Sequence, residues 1–304
     1  MISYSGLTQK LNEKGLTKTA LAGELGISSR TIAKLGRGER VANDVLARMA
    51  AYLGCEACEL YREVSDNPLL QTLRDEKNAR ISGGLYHELQ VRMTYNSNHI
   101  EGSRLSEAQT RMIFETKTLN AGDGLPVDDV IETVNHFRAV DLLIDRAEEP
   151  LTEALIKELH CVLKQGTMDS ALDWFAVGDY KKRPNTVGGL ETAKPNEVAS
   201  RMSALLKDYE ANTPASLEDI VAFHYAFERI HPFQDGNGRV GRLIALKECL
   251  RFSITPFIIE ERKKVFYYRG LAEWEREKGF LLETCRDGQE TFKRLMAVFE
   301  ITDD

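Results

Sequence analysis

The stretch His231-Pro-Phe-Gln-Asp-Gly-Asn-Gly-Arg-Val-Gly-Arg242 restricts the fold of this chain more than any other. Before it, Ile220, Phe223, Phe227 and Ile230 recur at helical spacing. Pro232 disfavours helix in the residue it follows, so that helix ends at His231. Leu243, Leu246 and Leu250 then resume the helical period, which puts the start of a second helix near Asn237. A tight turn must join the two. Gly236 and Gly238 keep side chains away from the start of the new helix, and bare N–H groups at a helix N-terminus form an anion site. Arg239 and Arg242, three residues apart, share a helix face and can hold further phosphate oxygens. Asp235 is placed to hold Mg2+ against those phosphates. His231 titrates near neutral pH and can take a proton from an attacking hydroxyl.

A rival reading uses the same glycines. Gly236, Gly238 and Gly241 match the dinucleotide fingerprint G-x-G-x-x-G, and Thr255-Pro-Phe-Ile-Ile-Glu260 reads as a short strand ending in an acid at roughly the 20-residue distance that fingerprint expects. Yet the fingerprint must follow a strand, and the residues before His231 have helical periodicity. No series of alternating strands and helices appears elsewhere, so this reading takes second place. Residues 81–304 read as helical almost throughout. Ser106-x-x-Gln109 is a capping box that opens a helix carrying Met112 and Ile113, and Val127, Val130, Ile131, Val134 and Phe137 have helical spacing. The exception is 177–195, where glycine and proline punctuate β-tolerant residues and a small hairpin or flap is expected.

HPFQDGNGRVGR fills every position of the pattern H-P-F-x-(D/E)-G-N-G-R-x-x-R, and the chain resembles the Fic family over about residues 80–280. The resemblance implies an all-α fold, a Fic helical core with a small β-hairpin flap, preceded by a small helix-turn-helix domain. It implies transfer of AMP from ATP to a Ser, Thr or Tyr hydroxyl of a target protein, with Mg2+. His231 would be the base and Asp235 the metal ligand. Gly236, Asn237 and Gly238 would form the anion hole, Arg239 and Arg242 would hold the β- and γ-phosphates, and Phe233 would anchor the loop. The related Doc kinases carry a lysine where this chain has Gly238, which favours nucleotidyl over phosphoryl transfer. Thr186, Val187 and Gly188 of the flap would pin the target segment by strand-like pairing. Tyr267 or Tyr268 is a candidate for stacking on the adenine.

Ser97-Asn-His-Ile-Glu101-Gly102 puts Ser97 and Glu101 four apart on one helix face, with Gly102 suited to end the helix. It also fits the family's inhibitory pattern (S/T)-x-x-x-E-(G/N). The resemblance implies that Glu101 pairs with Arg242 and occupies the arginine needed by the γ-phosphate, and that the same glutamate helps water remove AMP from the target.

The first 50 residues carry eight Lys/Arg against four Asp/Glu, a local +4 within a chain of −7, which leaves −11 for the rest. Such a split suggests two modules with different partners, as does a length of 304 residues at ~150 per domain. Thr17 is expected to cap one helix bearing Leu21 and Leu25. Gly26 supplies a turn, Ser28 caps a second helix with Ile32 and Leu35, and a third runs from Val41 to Leu53. This segment resembles Cro/repressor-type helix-turn-helix domains. The resemblance puts the helix near 28–36 in the major groove of DNA, with Ser28, Ser29, Arg30 and Lys34 facing the DNA and Arg37 near phosphates. A homodimer is expected from the need to read two half-sites. The domains expected are 1–63 for the helix-turn-helix, 64–110 for a linker and inhibitory helix, and 111–304 for the catalytic domain.

Five scattered cysteines argue against a disulfide framework, and the pair Cys55 and Cys58 lacks further zinc ligands nearby. All five read as buried or half-buried. His87, His99, His136, His160 and His224 show no metal-like spacing and read as structural or surface residues. No apolar run reaches the ~18–20 residues that span a bilayer, and a cytoplasmic protein is expected. Two alternatives to AMP transfer stand beside it: a transcriptional regulator whose Fic domain senses nucleotide, and transfer of another phosphate-containing group.

Overall fold

The computed structural model describes residues 2–63, 65–120, 124–214 and 216–301. They fall into two compact units, one up to Gln71 and one from Thr72 onward. Helices dominate both.

In the first unit, strand β1 (Ile2–Ser3) precedes helices α1 (Ser5–Glu13), α2 (Lys18–Leu25), α3 (Ser29–Gly36) and α4 (Asn43–Leu53). Strand β2 (Arg62–Glu63) closes the unit by pairing antiparallel with β1, a ribbon that periodicity did not announce. Local chemistry sets the helix-turn-helix. Thr17 Oγ1 accepts the Ala20 N–H at 3.1 Å and starts α2, and Ser28 Oγ accepts the Thr31 N–H at 3.2 Å and starts α3. Between them Gly26 takes the left-handed conformation (φ 61°), which reverses the chain in a few residues. Leu7, Leu11, Leu21, Leu35, Leu46, Met49 and Leu53 then meet in one core.

Helix α5 (Pro68–Ala79) spans the unit boundary. The second unit continues with α6 (Leu85–Ile100), α7 (Glu107–Thr116), α8 (Val127–Asp145) and α9 (Glu153–Lys164). Strands β3 (Thr186–Val187) and β4 (Leu190–Glu191) form the expected hairpin, and helices α10 (Pro195–Ala211), α11 (Leu217–Ile230), α12 (Asn237–Arg251), α13 (Lys264–Glu273) and α14 (Gly279–Val298) complete it. The hairpin turns on Gly188 and Gly189, both at positive φ (57° and 80°), as a two-residue turn of the favoured handedness requires. The capping box of Ser106 and Gln109 opens α7.

Helix α12 is the axis of this unit. It packs against α6, α8, α9 and α11, and it is buried on nearly all sides from Asn237 to Leu250. A helix buried all round has no solvent face for its charges, so Arg239, Arg242, Lys247 and Glu248 must find partners inside.

Two expectations change, and one helix adds a feature that its spacing did not show. The run 255–260 is not a strand. Phe257, Ile258 and Ile259 are buried because the extended chain lies against α14, where a Cβ on Gly288 would come within 2.9 Å of the Ile258 carbonyl oxygen. The element that leads into Gly236 is helix α11, not a strand, so the dinucleotide context is absent there. In α8, Val127 is 68% exposed while Thr133, Asn135 and His136 are buried. Those polar residues go inside because they are hydrogen-bonded there, as Asn135 Nδ2 is to the Leu163 and Gln165 carbonyls. Of the cysteines, all free, Cys58 and Cys161 are exposed rather than buried.

Two glycines give a paired test of the packing. A Cβ on Gly270 of α13 would lie 2.6 Å from the Leu281 Cα of α14, so Gly270→Ala should destabilise the second unit by about 1–3 kcal/mol. A Cβ on Gly23 of α2 meets no atom within 4 Å, so Gly23→Ala should stabilise the first unit by about 0.5–1 kcal/mol. Urea midpoints of each variant against the parent check both signs.

Candidate active site

The site is built on the loop between α11 and α12, and the loop is pinned from beneath. His231 ends α11 in the left-handed region (φ 52°), unusual for a residue with a Cβ. Phe233 is fully buried and stacks on the His160 ring at 4.0 Å and 1°. His160 Nδ1 accepts the Gly178 N–H at 2.9 Å. Its proton therefore sits on Nε2, which donates to the Asp235 carbonyl at 3.2 Å. The Asn237 side chain closes the loop on itself: Oδ1 accepts the Phe233 N–H at 2.8 Å and Nδ2 donates to the Phe233 carbonyl at 2.9 Å. The Asn237 side chain is thus committed to the loop.

The base of the flap grips the same loop. Asn185 Nδ2 donates to the Phe233 carbonyl at 3.1 Å, and the Lys181 N–H donates to that of Pro232 at 2.9 Å. Lys181 Nζ in turn holds Asn185 Oδ1 (2.7 Å) and Thr192 Oγ1 (2.6 Å). Burial pushes its ammonium down to about 8.

Two charge clusters flank the loop. In the first, Asp235 Oδ2 receives Lys164 Nζ at 2.7 Å and Arg239 Nη2 at 3.1 Å, and both cations also bind Glu132. Burial alone would raise the Asp235 carboxyl, but the charges of Arg239 and Lys164 hold it well below its usual range. Arg239 is therefore enclosed, 5% exposed, and engaged by two carboxylates. In the second cluster, Arg242 donates from Nε to Ser97 Oγ (3.0 Å) and from Nη2 to the Ser97 carbonyl (2.8 Å) and to Glu101 Oε1 (2.7 Å). Its Nη1 is buried without a partner. The Glu101 carboxylate also lies over the start of α12, where a Cβ on Gly238 would come within 2.3 Å of its Oε1. It fills the place that an anion bound at this helix terminus would take.

These parts converge on a cleft of about 610 Å³. Glu101, Gly238, Arg242 and His231 line one wall, with Tyr267 and Tyr268 of α13 and Thr186, Val187 and Gly188 of the flap on others. Tyr267 is buried under Arg242, while Tyr268 is 39% exposed. His231 is held down to about 4, first by burial and then by the charge of Lys181, so its imidazole is neutral at pH 7. Among the described residues no group of three or more His, Cys, Asp or Glu is arranged to hold a metal. One ionised, half-exposed carboxylate completed by substrate phosphates is how Mg2+ is commonly held, and Asp235 fits that donor set.

In the first unit, the Ser28 hydroxyl is used as the α3 cap, and Arg37 Nε pairs with Glu39 Oε1 at 2.5 Å. Ser29 and Arg30 are exposed and Lys34 is half-buried. Sequence reasoning gave no role to Glu132, Lys164, Lys181 and Glu228; it read His160 as structural or surface, and Asn185 lay in the expected flap. Only 177–195 was marked by its punctuation. The others sit on α8, α9 and α11, where nothing local separates them from ordinary helical residues.

Two measurements test this electrostatic reading. Glu132→Ala leaves two buried cations short of a partner and should cost about 3–5 kcal/mol in urea unfolding. His136, His160, His224 and His231 are held neutral by burial, at about 3, 4, 3 and 4 against 6.5 unfolded. The unfolded chain therefore binds more protons between pH 6.5 and about 4, and the melting temperature should fall as pH is lowered through that window.

Comparison with known proteins fits this geometry. Residues 150–249 match the Fic/DOC family and residues 7–64 match the Cro/C1-type HTH DNA-binding domain. Over 185 residues, 58% of this chain, it is 28% identical to the protein adenylyltransferase Fic of Drosophila mojavensis and 29% to that of Drosophila persimilis. The match spans about a third of those relatives, 35% and 34% of their lengths. A Fic domain containing signaling protein from Bacteroides thetaiotaomicron shares the fold with a TM-score of 0.62 at 25% identity, over 78% of this chain and 95% of that one. A Fic family protein from Desulfovibrio desulfuricans does so with a TM-score of 0.58 at 21% identity, over 79% and 78%. The chain thus carries a Fic/DOC-family domain over residues 150–249 behind a Cro/C1-type helix-turn-helix domain over residues 7–64.

Proposed function

We propose that the chain is an autoinhibited protein adenylyltransferase that moves AMP from ATP to a Ser, Thr or Tyr hydroxyl of a target protein and binds DNA through its first unit. The observation that carries this reading is the Glu101 carboxylate on Arg242 and over Gly238, an internal anion seated at a helix N-terminus beside a neutral histidine. The relatives named as adenylyltransferases support the choice of AMP as the group moved.

His231 Nε2 takes the proton of the target hydroxyl as its oxygen attacks the α-phosphorus. The bond from the α-phosphorus to the α,β-bridging oxygen breaks in line and pyrophosphate leaves with that oxygen. The backbone at Gly236, Asn237 and Gly238 holds phosphate oxygens, and Arg242 takes the γ-phosphate once Glu101 leaves it. Arg239 acts from beneath by fixing Asp235, rather than by reaching into the cleft. Asp235 would hold Mg2+ together with the nucleotide's phosphates, and the ion would supply charge neutralisation for the pyrophosphate. The flap residues Thr186, Val187 and Gly188 align the target segment by backbone pairing. Most of the rate then comes from positioning and fixed charge, with proton transfer added.

The assay is incorporation of labelled AMP by the full chain. Glu101→Gly should raise it by roughly tenfold or more by vacating Arg242, and His231→Ala on that background should lower it by about 10²–10⁴. Equal labelling by Glu101→Gly and wild type would sink the brake. If neither Glu101→Gly nor its His231→Ala derivative labels above background, the domain is a nucleotide sensor rather than an enzyme. For DNA, each phosphate contact contributes about −0.9 to the slope of log K against log salt, so Arg37→Ala should flatten it by about that amount. A dimer reading two half-sites is part of the same proposal.

A further inference from the structure

Glu228 has no task in the mechanism above, yet it lies deeper in the cleft than Glu101. It sits one turn before His231 on α11, 11% exposed, with Oε2 3.8 Å from His231 Nδ1. Glu228 Oε1 and His231 Nδ1 are both buried without a well-aligned hydrogen-bond partner, though the main-chain carbonyl of Glu228 also acts on the imidazole. A carboxyl with an orphaned oxygen thus faces an imidazole nitrogen that lacks a well-aligned acceptor, and buried polar atoms seldom go unpaired without a reason. Helix α12 makes room for the arrangement, since a Cβ on Gly241 would come within 2.6 Å of Glu228 Oε1. Seven groups act on this pair: Glu101 from the end of α6, Arg242 from α12, His224 on α11, Tyr267 and Tyr268 from α13, Lys181 before the flap and Asp235 in the loop. Arg242 is already engaged by Glu101 and Ser97.

We propose that Glu228 is a positioning residue for the base: its carboxylate takes the Nδ1–H of His231 and fixes the tautomer that leaves Nε2 bare towards the target hydroxyl. The consequence for rate rests on the AMP-transfer reading; the geometry does not. A histidine that accepts a proton at Nε2 must carry its own proton on Nδ1, and that proton needs an acceptor. Such contacts are often long before substrate arrives and tighten in the reacting complex.

Glu101 bears on the same pair. With it seated on Arg242, burial and then the Glu101 charge push the Glu228 carboxyl up to about 8. At neutral pH Glu228 is then a proton donor to Nδ1, which leaves the His231 proton on Nε2, the wrong nitrogen for a base. With Glu101 withdrawn, burial still raises the Glu228 carboxyl, but the second raising cause is gone and Arg242, freed of its other anion, favours the carboxylate and shifts the proton towards Nδ1. The brake thus acts on the base as well as on the phosphate-holding arginine.

Nitrogen-15 NMR of histidine-labelled full chain, without nucleotide, reads the tautomer directly, with His231 assigned by difference from His231→Gln. Glu101→Gly should carry the proton on Nδ1 and wild type on Nε2. Adding Glu228→Met to Glu101→Gly should abolish the Nδ1 preference. Adding Glu228→Gln instead supplies a neutral acceptor and should keep it. Methionine fills the space of a buried unpaired carboxyl, so the melting temperature should not fall. In AMP transfer, Glu228→Met should lower kcat by roughly tenfold or more with KM for ATP unchanged, and Glu228→Gln should restore most of it. An unchanged His231 tautomer in Glu228→Met overturns the proposal. So does the same tautomer in wild type and Glu101→Gly, a comparison that holds even if the methionine variant does not fold. Should Glu101→Gly transfer no AMP, the functional reading fails while the NMR comparison still decides the role of Glu228.

Discussion

Everything in the second unit answers to one constraint: Arg242 is a buried cation, 3% exposed, on a helix with no solvent face. Taking a guanidinium out of water is tolerable only with an anion against it. The chain supplies one from 141 residues away, at the end of α6. Burial by itself would lower the Arg242 guanidinium, and the Glu101 charge more than offsets it, so the arginine is held more firmly protonated than usual. A helix whose second residue is Gly238 can accept that carboxylate against its backbone, and could accept a phosphate in the same place.

The second constraint is rigidity around it. Phe233 against His160, Asn237 across its own loop and Asn185 from the flap leave the α11–α12 turn little freedom. His231 keeps a left-handed backbone because these contacts over-determine it. Motion is then left to the Glu101 carboxylate, which ends a helix and is 29% exposed. A fixed cradle with one displaceable anion is a simple way to build a two-state site.

The sequence was most legible where structure is local. Thr17, Ser28 and Ser106 cap the helices they open, Gly188 and Gly189 turn the flap, and the break at His231-Pro232 and the restart at Asn237 stand where the periods put them. The spacing of Ser97 and Glu101 puts them together on one face of α6, and both meet Arg242. What stayed hidden is long-range and polar. Glu132 reaches Arg239 across 107 positions and Lys164 reaches Asp235 across 71, and no local period marks such a pair. Helical spacing marked α8 correctly, but it does not show that the helix borders the charged centre and buries His136 and Thr133. The Thr255–Glu260 run misled, since buried β-branched and aromatic residues read as a strand whatever they pack against.

Under the proposed function, the brake's strength follows from connectivity. Glu101 is tethered, so it meets Arg242 at a high effective concentration that a free ligand must overcome. A nucleotide cannot dislodge it by tight binding alone, because only the difference in affinity between the braked and open states moves the equilibrium. Contacts made equally in both states, such as adenine packing on α13, contribute nothing to that difference. The γ-phosphate contributes most, since Arg242 Nη1 is unpartnered and Nη2 is shared between Ser97 and Glu101. Whatever pulls the end of α6 away, a target or a partner, therefore acts on the same few hydrogen bonds as the substrate itself, and activation and substrate binding must be thermodynamically linked.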